Sequence, residues 1–359
     1  MLSPVGVRAS RGLIRLATRR RRRAATLATL GAIAAVLAAY GSSTSWASGD
    51  VAHKSAALTN VTVRLDWFAG GYHAGFYVAV AEGFYKRAGL NVTVQEGTGS
   101  SSTVQLVGAG QDTFGFVDPV AMIPAVAAGA PVEMVADIIQ QDPSGVLVVN
   151  SSGIKSPAQL AGHQCAESPY GYIHQLLPLF YQRAHVNGSA VQVTSISPAA
   201  IVPALAHGTL PATCDALFEN YYLKNDFNVA TTYYQYKNYG IHLLGHGIVV
   251  NKSTIASDPS EVKGFVKATI DGYTWAFAHP QQAATIVKNA APDSSASIAD
   301  DLDTLKAVKQ DDHTSHTKGL PLGVMSWADW NVTEGLMIRY LGLTKPPVTS
   351  TLFTNKFLK

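Results

Sequence analysis

Cysteine and charge are both scarce in this chain: 359 residues carry two cysteines, and Asp, Glu, Lys and Arg together make up 14%. Two cysteines, Cys165 and Cys214, cannot build a cysteine-rich iron or zinc site. Metal-ligand spacing is absent too: His313 and His316 lie in Asp311-Asp312-His313-Thr314-Ser315-His316, a polar loop that reads first as solvated surface and only second as surface metal capture. Neither a G-x-S-x-G elbow nor a phosphate loop is present, which removes the footing for a serine hydrolase or a nucleotide-binding enzyme. No catalytic set, metal or cofactor is expected.

The charge that is present is unevenly placed. Eight of the 27 basic residues are arginines within residues 1–23, which hold no acid, and an uncharged apolar segment, Ala24 to Ala39, follows. The pattern predicts an exported protein with a signal peptide over 1–47, with Ser45-Trp46-Ala47 as a cleavage site and a permanent anchor helix as the alternative. Leu37-Ala38-Ala39-Tyr40 reads like a lipoprotein signal in which Tyr40 stands where the lipidated cysteine would be. Without the leader the balance is 19 basic against 24 acidic residues, near −5. Net basicity therefore belongs to the export segment, and no nucleic-acid partner is expected.

The remaining residues, about 310, exceed the size at which a single core stops growing, so two lobes are expected. Strands, capped helices and glycines recur in order. Val61, Val63 and Leu65 alternate with polar residues, a Gly-Gly break follows at Gly70, and Phe76, Tyr77, Val80 and Phe84 recur at helical spacing. Asp118-Pro119, Ser156-Pro157, Ser197-Pro198 and Asp258-Pro259 each read as N-cap plus first helical residue, the last with Glu261 completing a capping box. The grammar predicts an α/β protein with mostly parallel sheets and a helical C-terminal tail at 259–278, 280–289, 298–309 and 326–341. Two crossings, near Gln140 to Gly145 and in Ile241 to Asn251, suggest a linker at 48–58 and a clamp of 59–143 with 247–359 as one lobe and 144–246 as the other. Both cysteines fall in short strands, where a bridge is geometrically demanding, so unbridged thiols are favoured over a disulfide.

Ligands of open α/β sheets are met beyond the carboxyl ends of strands. Candidate contacts are therefore Asp66, Trp67, Phe68, Tyr72 and His73, then Asp118, Asp142 and Ser144, then Ser168, Tyr170, Gly171 and Tyr172, and finally Glu219, Asn220 and Tyr221. Several have plainer readings: Trp67 and Phe68 as core, Asp118 as a helix cap, Ser144 as a turn residue. Glu219 ends the apolar stretch Ala216-Leu217-Phe218, a costly place for a carboxylate unless it meets solvent, a partner or a ligand. The candidates are aromatic and acidic, with no arginine. A flat amino-substituted heteroaromatic would stack on Trp67 or on Tyr170 or Tyr172 and donate hydrogen bonds to Glu219 or Asp66, with His73 as a further polar contact. A sulfonate would want cationic partners, although backbone amides alone can hold an oxyanion.

Three stretches carry a family resemblance. LDWF followed by His73 and GFYVAVAEGFYKRAGLNV, then GIKSPAQLAG from Gly153 to Gly162, then the ALAHG turn and CDALFENYY from Cys214 to Tyr222 resemble the NMT1/THI5-like solute-binding proteins. That family includes pyrimidine-precursor and alkylsulfonate binders of ABC importers. The resemblance implies a two-lobe periplasmic-binding-protein type II (Venus-flytrap) fold, a small-molecule ligand, a monomer, and an ABC permease in the membrane as partner. None of these motifs specifies the ligand; the aromatic and acidic candidates together with the resemblance point to a thiamine-precursor pyrimidine first and a sulfonate, taurine or nitrate second. Some family members are instead pyrimidine synthases that consume an active-site histidine and need a cysteine-rich iron motif; His73 stands in a comparable stretch, but the cysteine cluster is missing. A ligand-sensing regulator would share the two lobes and bring a DNA-binding helix-turn-helix in place of an export leader.

Overall fold

Val61 and Val63 alternate with Thr62 and Arg64, and in a computed structural model of the chain this stretch is strand β1 (Thr59–Arg64), with both valines buried. The structure describes residues 57–169, 173–294 and 296–359. The predicted leader 1–47 with Tyr40, most of the 48–58 linker, and Tyr170, Gly171 and Tyr172 lie outside them.

After β1 come α1 (Ala74–Ala81), α2 (Phe84–Arg87), β2 (Leu90–Gln95), α3 (Ser100–Gly108), β3 (Phe114–Val117), α4 (Pro119–Ala127) and β4 (Val132–Asp137). The middle of the chain forms β5 (Gly145–Val149), β6 (Gln164–Glu167), α5 (Leu177–Arg183), β7 (Gln192–Ser195), α6 (Pro198–Ala206), β8 (Ala212–Ala216), α7 (Glu219–Phe227) and β9 (Thr231–Gln235). The last third holds β10 (Gly247–Asn251), α8 (Lys252–Ser257), α9 (Pro259–Ala278), α10 (Pro280–Ala290), α11 (Ile298–Gln310) and α12 (Trp327–Tyr340).

Two five-stranded sheets result, ordered β2-β1-β3-β10-β4 and β7-β6-β8-β5-β9. In the first, β1 runs parallel to β2 and β3, while β10 is antiparallel to both β3 and β4. The second repeats the plan, with β6 parallel to β7 and β8, and β5 antiparallel to β8 and β9. Four strands of each sheet thus point one way, and the reversed strand is the one that follows a crossing between sheets. The crossings bind each other: Ile138 and Ile139 N–H both donate to the His246 carbonyl at 3.0 Å, and Asp142 N–H donates to Leu243 O at 3.0 Å. All of these elements belong to one compact unit spanning Ser55–Lys359.

Local chemistry accounts for the helix starts. Asp118 Oδ1 accepts from Val120 N at 2.6 Å with Pro119 at the first helical position, and Asp258 Oδ1 accepts from Glu261 N at 2.9 Å. Ser197 precedes α6 without a side-chain cap bond, and Ser156-Pro157 opens only a short 3-10 turn, Pro157–Leu160. α9 lies against the first sheet, where Phe265 stacks on Phe114 with ring centroids 3.7 Å apart.

The cysteines correct the expectation of free thiols: Cys165 and Cys214 form a disulfide with Cα atoms 5.6 Å apart. Ala166 of β6 lies opposite Thr213 of β8, so the two cysteines stand diagonally, one residue to either side of that pair. This offset falls inside the usual Cα range for a bridge, which a reading of strands without their register does not reveal. His313 and His316 are held by neighbours: His313 Nδ1 to Asp312 Oδ1 and His316 Nδ1 to Asp329 Oδ1, both at 2.7 Å. Among the described residues no group of three or more possible metal ligands occurs, and no helix is long and apolar enough to cross a membrane.

Candidate functional site

The loop after β1 is fixed before it reaches the site. Leu65 is fully buried, its carbonyl accepts from Thr103 Oγ1 at 2.8 Å, and the carbonyls of Asp66 and Trp67 accept from Gly99 and Gly97 N–H at 2.7 and 3.1 Å. Gly71–His73 then turns as a short 3-10 helix into α1, and Tyr273 of α9 anchors it by donating to the Tyr72 carbonyl at 2.8 Å.

That frame presents Asp66 as the centre of a buried polar group. Its Oδ1 accepts from His73 Nε2 at 2.8 Å; its Oδ2 accepts from the Tyr72 hydroxyl at 3.2 Å and pairs with His246 Nε2 at 3.1 Å. Burial alone would raise the Asp66 carboxyl, but the His246 charge and the bonds from His246 and His73 hold it well below the usual carboxylate range. For His246, burial works downward and is outweighed by Asp66, with Asp118 and Asp142 adding to it, so the imidazole is raised to about 9. His73 is lowered instead, burial outweighing its contact with Asp66. Asp66 and His246 are thus an ion pair at neutral pH, and His73 is a neutral donor behind it.

A cavity of about 410 Å³ opens beside this group. Asp66, Trp67, Phe68, Tyr72 and His246 border it from the first sheet's side, and Asp215, Phe218, Glu219 and Tyr222 from the second's. Pro198 to Pro203 of α6 supply an apolar wall, and Asp300 and Thr304 of α11 complete it. Tyr72 packs on Phe218 with centroids 5.3 Å apart, so aromatic rings from the two sheets meet at its edge. Asp215 Oδ2 accepts from Ser168 N at 2.9 Å, and Glu219 Oε2 accepts from Leu217 N at 2.6 Å and Phe218 N at 3.0 Å. Four other carboxyls border the cavity, the exposed Asp293 among them. Burial raises three of the four: Asp215 to about 7, Asp300 to about 8 with help from Asp301, and Glu219 in the same direction against its backbone donors. Among the described residues, no lysine or arginine borders the cavity.

Of the residues singled out from sequence, Asp66, Trp67, Phe68, Tyr72 and Glu219 line the cavity. Phe68 is 37% exposed, and Trp67 packs against it edge-on at 5.8 Å. His73 is fully buried behind Asp66. Asp118 caps α4 and lies 3.9 Å from His246 Nδ1. Ser144 is fully buried, its hydroxyl 2.6 Å from Asp142 in the outgoing crossing. Ser168 serves the site through its N–H to Asp215, and Asn220 and Tyr221 start α7 outside the lining. Asp66 has both oxygens engaged by protein donors, which leaves Asp215, Glu219, Asp300 and the exposed Asp293 as the carboxyls of the lining with capacity for a ligand. Sequence reading missed Asp215, Tyr222, His246 and Asp300. Of these, Asp215 carried a signal, since an acid in Thr213-Cys214-Asp215-Ala216 of an apolar strand is as costly as Glu219; α11 shows no sign in sequence of reaching the cleft.

Two aromatic- and carboxyl-faced sheets joined by two bonded crossings, with the cavity bordered by both, define a two-lobe binding-protein fold. The alkanesulfonate-binding protein SsuA from Xanthomonas axonopodis pv. citri, bound to MOPS, superposes with a TM-score of 0.64 over 83% of this chain and 99% of that one, at 14% identity. Residues 71–283, more than half of the chain, match the family profile described as NMT1/THI5 like, and the chain belongs to that family. Its relatives include the formylaminopyrimidine-binding protein of Halalkalibacterium halodurans, 22% identical over 64% of this chain and 70% of that protein. Another is the 4-amino-5-hydroxymethyl-2-methylpyrimidine phosphate synthase of Legionella pneumophila, 30% identical over 108 residues. The chain spans only about a third of the length of that synthase, 34%, and the match covers 30% of the chain.

Proposed function

We propose that the protein is an exported, monomeric solute-binding protein of an ABC importer that captures an amino-substituted heteroaromatic, a pyrimidine of the thiamine-precursor kind, without transforming it. The observation that carries this reading is the lining of the cavity: aromatic rings beside carboxyls, with no lysine or arginine among the described residues. Rings of Trp67, Tyr72 and Phe218 offer stacking faces, and Glu219 and Asp215 offer acceptors for exocyclic amino groups. A sulfonate or nitrate would find no lysine or arginine in the described lining to pair with, which disfavours the anion-binding alternative. The names of two relatives, a formylaminopyrimidine-binding protein and a pyrimidine phosphate synthase, support the ligand class. Closure of the lobes on the ligand would create the form that a membrane permease recognises.

The synthase reading is weaker in this chain. Its only two cysteines are joined to each other, and His73 is fully buried with its Nε2 committed to Asp66. The test is a thermal-shift panel of the purified protein against aminopyrimidines, thiamine, taurine, alkylsulfonates and nitrate. A ligand at about 100 times its dissociation constant adds about 2.7 kcal/mol, several degrees of melting temperature. An aminopyrimidine shift that Glu219→Gln removes supports the reading; a shift with the sulfonates alone replaces the ligand, and turnover of a pyrimidine precursor replaces the class.

A further inference from the structure

The charge of the captured ring can be read from the same cavity. Asp66 and His246 compensate each other at 3.1 Å, so neither contributes net charge. Asp215, Glu219, Asp300 and the exposed Asp293 remain, with no lysine or arginine in the described lining to offset them. Asp215 and Glu219 at least accept backbone N–H groups. Asp300 does not share that relief: it is 7% exposed, and its Oδ1 is buried with no hydrogen-bond partner. Around it stand Asp301 and Asp303 of its own helix and Glu219, Tyr222 and Asp226 of α7. The nearby lysines are committed elsewhere: Lys224 and Lys306 both reach Asp303, at 3.1 and 3.6 Å. An unpartnered buried carboxyl is costly, and one held at a cavity wall marks a place where a ligand supplies the partner.

We propose that the ligand is a cation, a ring bearing a protonated or permanently charged nitrogen, and that Asp300 is the specificity-determining residue that receives it. The inference rests on the solute-binding reading above. In the empty protein, burial and the surrounding carboxyls keep Asp300 near 8 and Asp215 near 7, so protons occupy them over the neutral range. A bound cation favours the ionised carboxylate, and the proton leaves for solvent. Affinity for the cation therefore rises with pH until those carboxyls are ionised in the empty protein as well.

Two probes separate charge from shape: 4-aminopyrimidine, neutral at pH 7, and its permanently charged counterpart 4-amino-1-methylpyrimidinium. Calorimetric titration of the purified protein at pH 6, 7 and 8, in two buffers of different ionisation heat, reads affinity and proton release together. The charged ring is expected to bind about tenfold more tightly or better at pH 8, to gain up to about tenfold per pH unit below that, and to release protons. Asp300→Asn is expected to close the gap between the rings and to reduce the proton release. Equal or tighter binding of the neutral ring overturns the inference and leaves the solute-binding reading intact. A preference that survives Asp300→Asn removes Asp300 from the role. Binding of taurine or nitrate with neither ring bound, or binding of no probe, overturns both.

Discussion

Oδ2 of Asp66 lies 3.1 Å from Nε2 of His246, joining the loop that leaves β1 to the last residue before β10. The pair is buried, and it spans the sequence from the first strand of the fold to the strand that returns the chain to the first sheet. Removing one member of such a pair leaves the other charge in a dry site, which costs about 3–5 kcal/mol. His246→Ala is accordingly expected to lower the urea midpoint strongly with the slope unchanged, and Asp66→Asn/His246→Gln together to cost less than the sum of the single changes. Additive losses would show that the two side chains do not act on each other.

Stability of the ligand-free protein should fall as pH rises from about 4 to about 9. Asp215, at about 7, and Asp300, at about 8, hold protons in the folded protein that the unfolded chain releases near 3.8, so each ionisation favours unfolding across that window. His246, raised from 6.5 to about 9, contributes stability that is complete below pH 6.5 and lost as pH climbs through 9. Two groups work in the opposite sense: Asp66, its contribution present above 3.8 and lost only in stronger acid, and His73, whose lowered imidazole adds stability as pH rises through 6.5 and so offsets part of the fall. A melting series from pH 4.5 to 9 checks the slope, and Asp300→Asn is expected to flatten it between pH 6 and 8. A flat or rising curve in the parent protein would contradict the assigned protonation states.

The Cys165–Cys214 bridge closes a loop of 49 residues and joins β6 to β8, whose far ends carry Ser168 and Asp215. Replacing both cysteines by alanine is expected to cost about 2–4 kcal/mol, read from the denaturant midpoint. An unchanged midpoint in the double variant, or two free thiols by titration in the parent protein, would mean that the bridge does not form.

Gly71 opens the turn beneath Tyr72 where α11 crosses it, and a Cβ there would overlap the backbone carbonyl of Asp301. Backbone cannot swing aside as a side-chain tip can, so Gly71→Ala must push the turn and α11 apart. The expected cost is about 1–3 kcal/mol, together with weaker ligand binding, because Asp300 moves with its helix. Full stability in this variant would show that the approach is looser than described.

Much of this architecture was legible in the residues because local chemistry and periodicity set it. Alternation in Val61 to Leu65 marked β1, Asp118-Pro119 marked the start of α4, and the tail helices fall within a residue or so of the spacing-based bounds. The strands β7 and β9 escaped because Gln192–Ser195 and Thr231–Gln235 are short and polar or tyrosine-rich, with no buried face to pattern. Strand-end logic found Asp66, Trp67 and Glu219. It could not find His246, which sits inside what reads as a connecting segment, or Asp300, which a C-terminal helix brings to the cavity from more than 200 residues away in sequence. Register likewise decided the disulfide, since only the Ala166–Thr213 pairing sets the two cysteines on a diagonal.

The most direct test of the account is an isothermal titration of the purified protein with an aminopyrimidine, run beside taurine and nitrate and repeated with Glu219→Gln. One site per chain for the aminopyrimidine, no heat from the anions, and a loss of about tenfold to a hundredfold in the Glu219→Gln protein is the predicted result. Saturable binding of taurine or nitrate, with none of the aminopyrimidine, would contradict it.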